Sequence, residues 1–433
     1  MKLKIPVFLL FFALISVNLE AQQNLILNLE SARKHALDHN KNMLNADFAM
    51  EKAQLAVREA IANGLPQINA SMDYSNALGA KISIRFNESM PASEIDIKPQ
   101  SNFYLNVNQL IFSGNYIVGV QISKLAQNLS RLGYQKTELE VISAVTDAYY
   151  MVLISGESKA IITQNLNNLK ELYKKTEALA NVGIIEKTDV DQLFVQMNSL
   201  QNALSSAERQ VELATNLLRL QLGASIETEI ELTDNLTKLM EDAEVENMLI
   251  TQFKVEDNID FRMLQQQEFM TKKMVDMQKS NALPTLAAFY RYTYKLLKPD
   301  FDMTPTNMVG LQMNIPIFSS GVRNAQTKQA LIDLKTTQNN KSLLADQLKT
   351  QEKQLRFNFN NALETFNNQK TNVEVSRRVY SSLKLKYEQG LISGLDLIGA
   401  DNNYLRAESD YITAMMQVLN SRLYLEKLYG NIQ

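Results

Sequence analysis

Ala180-Asn181-Val182-Gly183-Ile184-Ile185-Glu186-Lys187-Thr188-Asp189-Val190 and Tyr387-Glu388-Gln389-Gly390-Leu391-Ile392-Ser393-Gly394-Leu395-Asp396-Leu397 are two versions of one turn. Working outward, the polar helical stretch before the first opens at Phe112-Ser113-Gly114, and the one before the second at Phe318-Ser319-Ser320-Gly321. The stretches after the turns close at Leu222-Gly223 and Tyr429-Gly430. Gly114 and Gly321, Gly183 and Gly390, and Gly223 and Gly430 are each 207 positions apart. One insertion in either copy would break that offset, so the spans are held to length. Solenoid repeats recur at shorter periods, and this one marks a duplicated domain.

Only 14 Gly and 8 Pro in 433 residues leave little material for turns, so few and long elements are expected. The apolar share of 45% is ordinary, and the net charge of −3 argues against a nucleic-acid binder, which needs a basic face. No cysteine is present, which leaves no disulfide, no thiolate metal site and no acceptor for a lipid anchor. Lys2 and Lys4, an apolar run from Ile5 to Val17 and the small residue Ala21 read as a secretory leader over 1–21. Its removal would leave a charge of about −4. No other segment approaches eighteen consecutive apolar residues, so no helical membrane span is expected.

Each half begins with a helical segment, Leu29 to Ala62 and roughly Val245 to Asn281, closed by Leu65-Pro66 and Leu283-Pro284. The period then changes to two. Ile68, Ala70, Met72 and Tyr74 alternate with Asn69, Ser71, Asp73 and Ser75; Phe103, Leu105 and Val107 alternate with Asn102, Asn106 and Asn108. In the second half Leu286, Ala288, Tyr290, Tyr292 and Tyr294 share one face, as do Val309, Leu311, Met313, Ile315 and Ile317. A half-buried soluble sheet gives this pattern, and so does the lipid-facing band of a barrel. Leu65 to Phe112 spans 47 positions and Leu283 to Phe318 only 35, so the connections at Asn87–Gln100 and Leu297–Thr306 read as exposed loops.

Gly114 to Gly183 would extend about 100 Å as continuous helix. Leu125, Leu129, Leu132, Leu139, Ile142, Val145 and Tyr149 form a narrow coiled-coil-like seam along it. One chain has too few such helices to cover their stripes, and four strands cannot close a barrel. Oligomerisation answers both needs. The expected organisation is a first repeat over 22–223, with strands near 66–76 and 102–112 and helices over 114–182 and 188–222. An acidic connector over 224–244 follows, read as solvated and packed around the middle of the long helices. The second repeat, 245–433, has strands near 285–296 and 307–318 and helices over 321–389 and 394–429.

In these features the chain resembles the TolC-like outer-membrane efflux protein family over essentially its whole length. The duplicated element order, both Leu-Pro breaks, Ala36-Leu37 with Asn40, and above all the two turns carry the resemblance. It implies a mainly α fold with a β-barrel contribution: a homotrimer with a twelve-stranded outer-membrane barrel set in lipid and a periplasmic α-helical tunnel. It also implies a passive exit duct of tripartite efflux or type I secretion, docked to a periplasmic adaptor and an inner-membrane pump. Tyr387, Asp189 and Asp396 match the family's constriction positions, and Asp401 is a candidate further acid. Ile392 and Gly399 stand where the best-known member has a basic residue and an acid. Gly183, Ile184, Ile185, Gly390, Leu391, Ile392 and Ser393 form the candidate docking tip, with packing between neighbouring subunits the alternative for the apolar ones.

Other readings of the same residues stay beside these. Thr188 and Ser393 stand three residues before Asp191 and Asp396, so both turns read as capped helix starts. Gly183 and Gly390 read as left-handed helix ends. His35 and His39 have metal-ligand spacing, but without Cys and with only Asp38 nearby no metal site is expected. No phosphate-binding loop, catalytic triad or redox pair is present, so no cofactor and no catalysis are expected. The rival reading is a periplasmic coiled-coil adaptor with a soluble sheet.

Overall fold

The computed structural model describes residues 24–85, 91–241, 252–297 and 304–430. The expected leader and residues 242–251, 298–303 and 431–433 lie outside the described residues, as does the segment 86–90. The fold is mainly helical with a strand module, and the chain divides into two compact units, each drawn from three segments.

One unit draws on Lys41–Ser143, Glu246–Asn360 and the chain from Ser421 onward. Its sheet has the order β2-β5-β7-β8, with β2 at Gln67–Ser75, β5 at Gln100–Phe112, β7 at Thr285–Leu297 and β8 at Asn307–Asn314, all antiparallel. β5 against β7 joins the two repeats, with Phe103 opposite Tyr294 and Val107 opposite Tyr290. Ile68, Met72, Val309, Leu311 and Met313 are exposed on this sheet, whereas Ser101, Asn102 and Thr293 are buried. On the polar side Arg291 donates to Asn106 at 2.8 Å and lies 6.0 Å from the Tyr104 ring, which accounts for an aromatic residue among asparagines.

Two strand expectations are corrected. The last strand stops at Asn314, not near 318. Pro316 has no N–H for the ladder, and Ile317 and Phe318 lie outside it, exposed. The first connection is not wholly irregular: β3 (Lys81–Ile84) and β4 (Ser93–Asp96) form a hairpin with Ile82 opposite Ile95 and a Lys81–Glu94 ion pair at 3.2 Å.

Helix α2 (Lys41–Ala62) leads into β2, and α6 (Ile259–Ser280) into β7. The helix expected from about Val245 falls partly on residues outside the described ones; within those described, a 3₁₀ turn at Val255–Asp257 precedes the helix that starts at Ile259. Asn258 sets that start: its Oδ1 accepts from the backbone N–H of Asp260 and Phe261, and its Nδ2 donates to the Leu428 carbonyl at 2.9 Å.

The other unit holds the described parts of Met1–Asn40, Ala144–Val245 and Asn361–Asn420. Here α3 (Gly114–Asn181) and α4 (Lys187–Leu222) meet around the turn at Gly183, and α7 (Val322–Glu388) and α8 (Gly394–Tyr429) around the turn at Gly390. Leu166 and Leu169 of α3 pack with Leu193 and Leu200 of α4, and Ile398 and Leu405 of α8 close over them. This spacing of threes, fours and sevens buries a stripe instead of a broad face. Among the described residues α3 is long and apolar enough to cross a membrane by length and composition, a test that buried core helices also pass. Val145, Ala148 and Tyr149 of its apolar stretch are fully buried within the protein.

The first helical segment is also corrected, being broken into α1 (Leu29–His39) and α2. Asn40 adopts an extended conformation and donates its side-chain amide to the Gln221 carbonyl at 2.7 Å. The described part of the acidic connector keeps Glu227, Glu229 and Glu231 exposed while its backbone packs on the chain. Its β6 (Ile230–Leu232) pairs in parallel with β1 (Leu25–Leu27), and α5 (Leu236–Glu241) follows. Asp234 accepts from the Leu29 N–H at 2.8 Å and from the buried Tyr149 hydroxyl at 2.9 Å. Burial, then the bond to Asp234, raises the Tyr149 pKa, so the phenol remains a donor at neutral pH.

Candidate site at the paired helical turns

Both turns are built by the same backbone device. In the first, Gly183 has φ +79°, its N–H bonds the Ala180 carbonyl at 3.0 Å, and the Ile184 N–H reaches the Leu179 carbonyl at 3.0 Å. In the second, Gly390 has φ +70°, its N–H bonds the Tyr387 carbonyl at 2.9 Å, and the Leu391 N–H reaches the Lys386 carbonyl at 2.9 Å. These paired bonds satisfy the last carbonyls of α3 and α7, and the left-handed position selects glycine. Each turn then presents an apolar side chain outward: Ile184 is 70% exposed and Leu391 67%. Ile185 and Ile392 are half-buried behind them.

The helix starts differ. Ser393 and Asp396 form a reciprocal cap: Ser393 Oγ accepts from the Asp396 N–H at 3.2 Å, and Asp396 Oδ2 accepts from the Ser393 N–H at 3.2 Å and its hydroxyl at 2.7 Å. Thr188, expected to cap the other helix, lies inside α4 instead. Glu186 occupies the cap position without a side-chain cap bond, and the Thr188 hydroxyl donates to its carboxylate at 3.1 Å. A cap two residues earlier than expected takes Thr188 out of the capping position.

The two turns meet at Asp189 and Gly394. A Cβ on Gly394 would lie 3.4 Å from Asp189 Oδ1, in ordinary van der Waals contact. Asp189 and Asp396 both sit in the first turn of a helix, where the N-terminal dipole favours a carboxylate.

The other constriction candidates point into the chain's own interior. The Tyr387 hydroxyl lies 2.9 Å from the hydroxyl of the buried Thr176 on α3, and Lys175 and Glu388 pair at 3.6 Å alongside. Asp401, the candidate further acid, is only 6% exposed. It lies five residues beyond Asp396, about 140° around α8, and that rotation carries it from solvent to the contact with α7. There Tyr380 bonds its carboxyl, and Tyr380 stacks on Tyr404 with centroids 5.7 Å apart. Arg377 donates to the Tyr404 hydroxyl at 3.2 Å. Burial pushes the Asp401 pKa up to about 6, and Glu408 adds to the rise against the bond from Tyr380 and the charge of Lys384. At the next residue of α8, Gln196 of α4 donates to Asn402 at 2.6 Å.

Sequence reading alone missed Thr176, Tyr380, Tyr404 and Arg377. A threonine in a polar helix carries no signal, but Tyr380 and Tyr387 are seven positions apart, a heptad that could have marked an aromatic seam. Among the described residues no group of three or more His, Cys, Asp or Glu side chains could hold a metal. The site thus offers a pair of ordered turns, exposed apolar tips and two first-turn acids: means to bind a partner and to line an opening.

Comparison with known proteins agrees with this geometry. The family described as "Outer membrane efflux protein" matches residues 32–224 and 255–431. "Outer membrane protein TolC" of Escherichia coli (strain K12) is 21% identical, over 96% of this chain and 84% of its own. Among solved structures, the Campylobacter jejuni CmeC outer membrane channel superposes with a TM-score of 0.75 at 17% identity, covering 93% of this chain and 85% of that one. The open state of the Neisseria gonorrhoeae MtrE outer membrane channel gives 0.73 at 15% identity, covering 93% and 88%.

Proposed function

The chain belongs to the outer membrane efflux protein family, and from that premise we propose that it is the passive outer-membrane exit channel of a tripartite efflux pump or a type I secretion system. The observation that carries this reading is the duplicated module: in each half a strand pair precedes a long helix, a glycine turn and a second helix. A periplasmic adaptor, the rival reading, would need one helical hairpin set between β-rich flanking domains, and does not account for two.

The sheet has β2 and β8 at its edges, and an edge in lipid must be paired. Three chains would close a twelve-stranded barrel by joining those edges, leaving the exposed Ile68, Met72, Val309 and Leu311 toward lipid. The long helices would continue as a periplasmic tunnel. Ile184 and Leu391 at its tips would dock a periplasmic adaptor, which links the channel to an inner-membrane pump. Asp189 and Asp396 would line the constriction, while Tyr387 and Asp401 would hold the helices behind it. The pump supplies the energy, and the channel itself performs no chemical step. Export through the leader at 1–21, without lipidation, would deliver the chain to the outer membrane.

The experiment is single-channel conductance of the purified, detergent-extracted oligomer in a planar bilayer, beside extraction of membranes with carbonate. The channel reading expects discrete cation-selective steps altered by Asp396→Ala, from a protein that only detergent releases. Release by carbonate alone would sink it.

A further inference from the structure

We propose that β8 of one chain pairs with β2 of a second copy in a single register, Met313 opposite Met72 of the partner subunit and Gln312 opposite the partner subunit's Asp73, and that the chain's own β5–β7 seam is the template for this joint. Within the trimeric barrel proposed above, on which this rests, that register fixes which residues meet between chains.

The two strand pairs are copies of each other down to the ladder. Leu65-Pro66 and Leu283-Pro284 carry β2 onto β7 with an offset of 218 positions. Gln67 stands opposite Asn108 and Thr285 opposite Asn314, so the same superposition carries β5 onto β8 with an offset of 206. Phe112 then falls on Phe318, as the sequence repeat requires independently, and the extra serine of Ser319-Ser320 accounts for the glycine offset of 207. The seam of β5 on β7 is thus a second strand of one copy against the first strand of the next. Three rotated chains repeat it, with β8 as the second strand and the partner's β2 as the first. Four alternating strands leave β2 and β8 running in opposite directions, so the joint closes antiparallel.

Carried across, the pairs Val107–Tyr290 and Leu105–Tyr292 become Met313 with Met72 of the partner subunit and Leu311 with Tyr74 of the partner subunit. All four side chains are exposed in the single chain. Asn106–Arg291, joined by a 2.8 Å hydrogen bond, becomes Gln312 with the partner subunit's Asp73, an amide donor facing a carboxylate. Phe112–Leu286 becomes Phe318 with the partner subunit's Ile68, which covers an aromatic ring left 85% exposed by one chain. Apolar residues meet apolar ones and polar meet polar. A slip of one residue would set Met313 against Asp73 or Ser71 of the partner subunit and mix the faces. Slips of two keep the faces, and only the internal seam tells them apart.

The wild-type chain has no cysteine, so paired cysteines report the register without background. Residues directly opposite have Cβ atoms about 4.5–5.5 Å apart, within reach of a disulfide, and those two positions along about 7–8 Å, beyond it. Within one chain β5 and β7 separate β2 from β8, so the bond can form only between chains. The test oxidises the full-length protein in isolated membranes, bearing Met313→Cys with Met72→Cys or Gln312→Cys with Asp73→Cys, and reads non-reducing gels. Covalent dimers and trimers are expected in place of most of the monomer. The slipped pairs, Met313→Cys with Ala70→Cys or Tyr74→Cys and Gln312→Cys with Ser71→Cys or Ser75→Cys, should stay largely monomeric on the gel. One designed pair lies on each face of the sheet, so a pair that hinders assembly leaves the other to decide. An oligomer of unchanged size that cross-links only in a slipped pair, or in none, overturns the register and leaves the barrel standing. A monomer released by carbonate overturns both.

Discussion

The Tyr387 hydroxyl meets the Thr176 hydroxyl at 2.9 Å, across the contact between the last turns of α7 and α3. Both residues are buried, so neither hydroxyl has water to fall back on. Tyr387→Phe or Thr176→Val each strands one polar group, at a cost of about 1–3 kcal/mol, while the double change costs less than the sum. A double-mutant cycle on the unfolding midpoint checks this. Additive effects would mean that the two hydroxyls are not coupled.

Asp401 sets a pH dependence whose sign follows from its burial. Its folded pKa of about 6 stands above the ordinary 3.8, so the folded chain binds a proton that the unfolded chain does not. Stability from this group therefore rises as pH falls through about 6 and levels off below the ordinary value, with a total on the order of 2–3 kcal/mol. Asp401→Asn, which still accepts from Tyr380, should raise the unfolding midpoint at about pH 7.5 and flatten its rise toward acid. A midpoint that follows pH equally in both proteins would show that other groups titrate.

The two left-handed glycines Gly183 and Gly223 separate conformational cost from steric cost. A Cβ at Gly183 meets nothing within 4 Å, so Gly183→Ala carries only the left-handed penalty, about 1–2 kcal/mol. Gly223→Ala adds collision with the His39 backbone and should cost clearly more. Thermal unfolding of the two variants ranks them, and equal losses would deny the close approach.

Ile184 and Leu391 test the proposed docking tip. A glutamate at either position leaves the helical core untouched, because both side chains are exposed. Efflux in cells should fall to background while the purified oligomer keeps its size. Full efflux by Ile184→Glu and Leu391→Glu together would remove these residues from the docking surface.

Much of the fold was legible because it rests on local chemistry. Glycines at fixed offset mark the turns, Leu-Pro pairs stop helices before strands, and alternation of Ile68, Met72 and Tyr74 with polar neighbours marks a two-faced sheet. What stayed hidden depends on distant partners. The break at Asn40 needs Gln221 to receive its amide, and the three-residue strands β1 and β6 are too short to show a period. Asp401 reads as one more solvated acid until Tyr380, on another helix, covers it. Thr188 reads as a cap, and its displacement by Glu186 is a matter of two residues at a helix end. For the site, the turn residues were legible and their support was not.

The pairing of β5 with β7 dictates an order of folding. Within each half the strands β2 with β5 and β7 with β8 are near neighbours in sequence, but Phe103 and Tyr294 lie nearly two hundred residues apart. Closing so long a loop costs about 4–5 kcal/mol of chain entropy before any bond repays it. The two hairpins thus form first and the seam between the halves zips last, so the joint between the repeats is the slow step of the sheet. Pulsed hydrogen exchange would show amides of the β5–β7 ladder protected after those of the outer ladders. A chain stalled at that step carries two finished hairpins with unpaired inner edges, the form most open to wrong pairing with another copy.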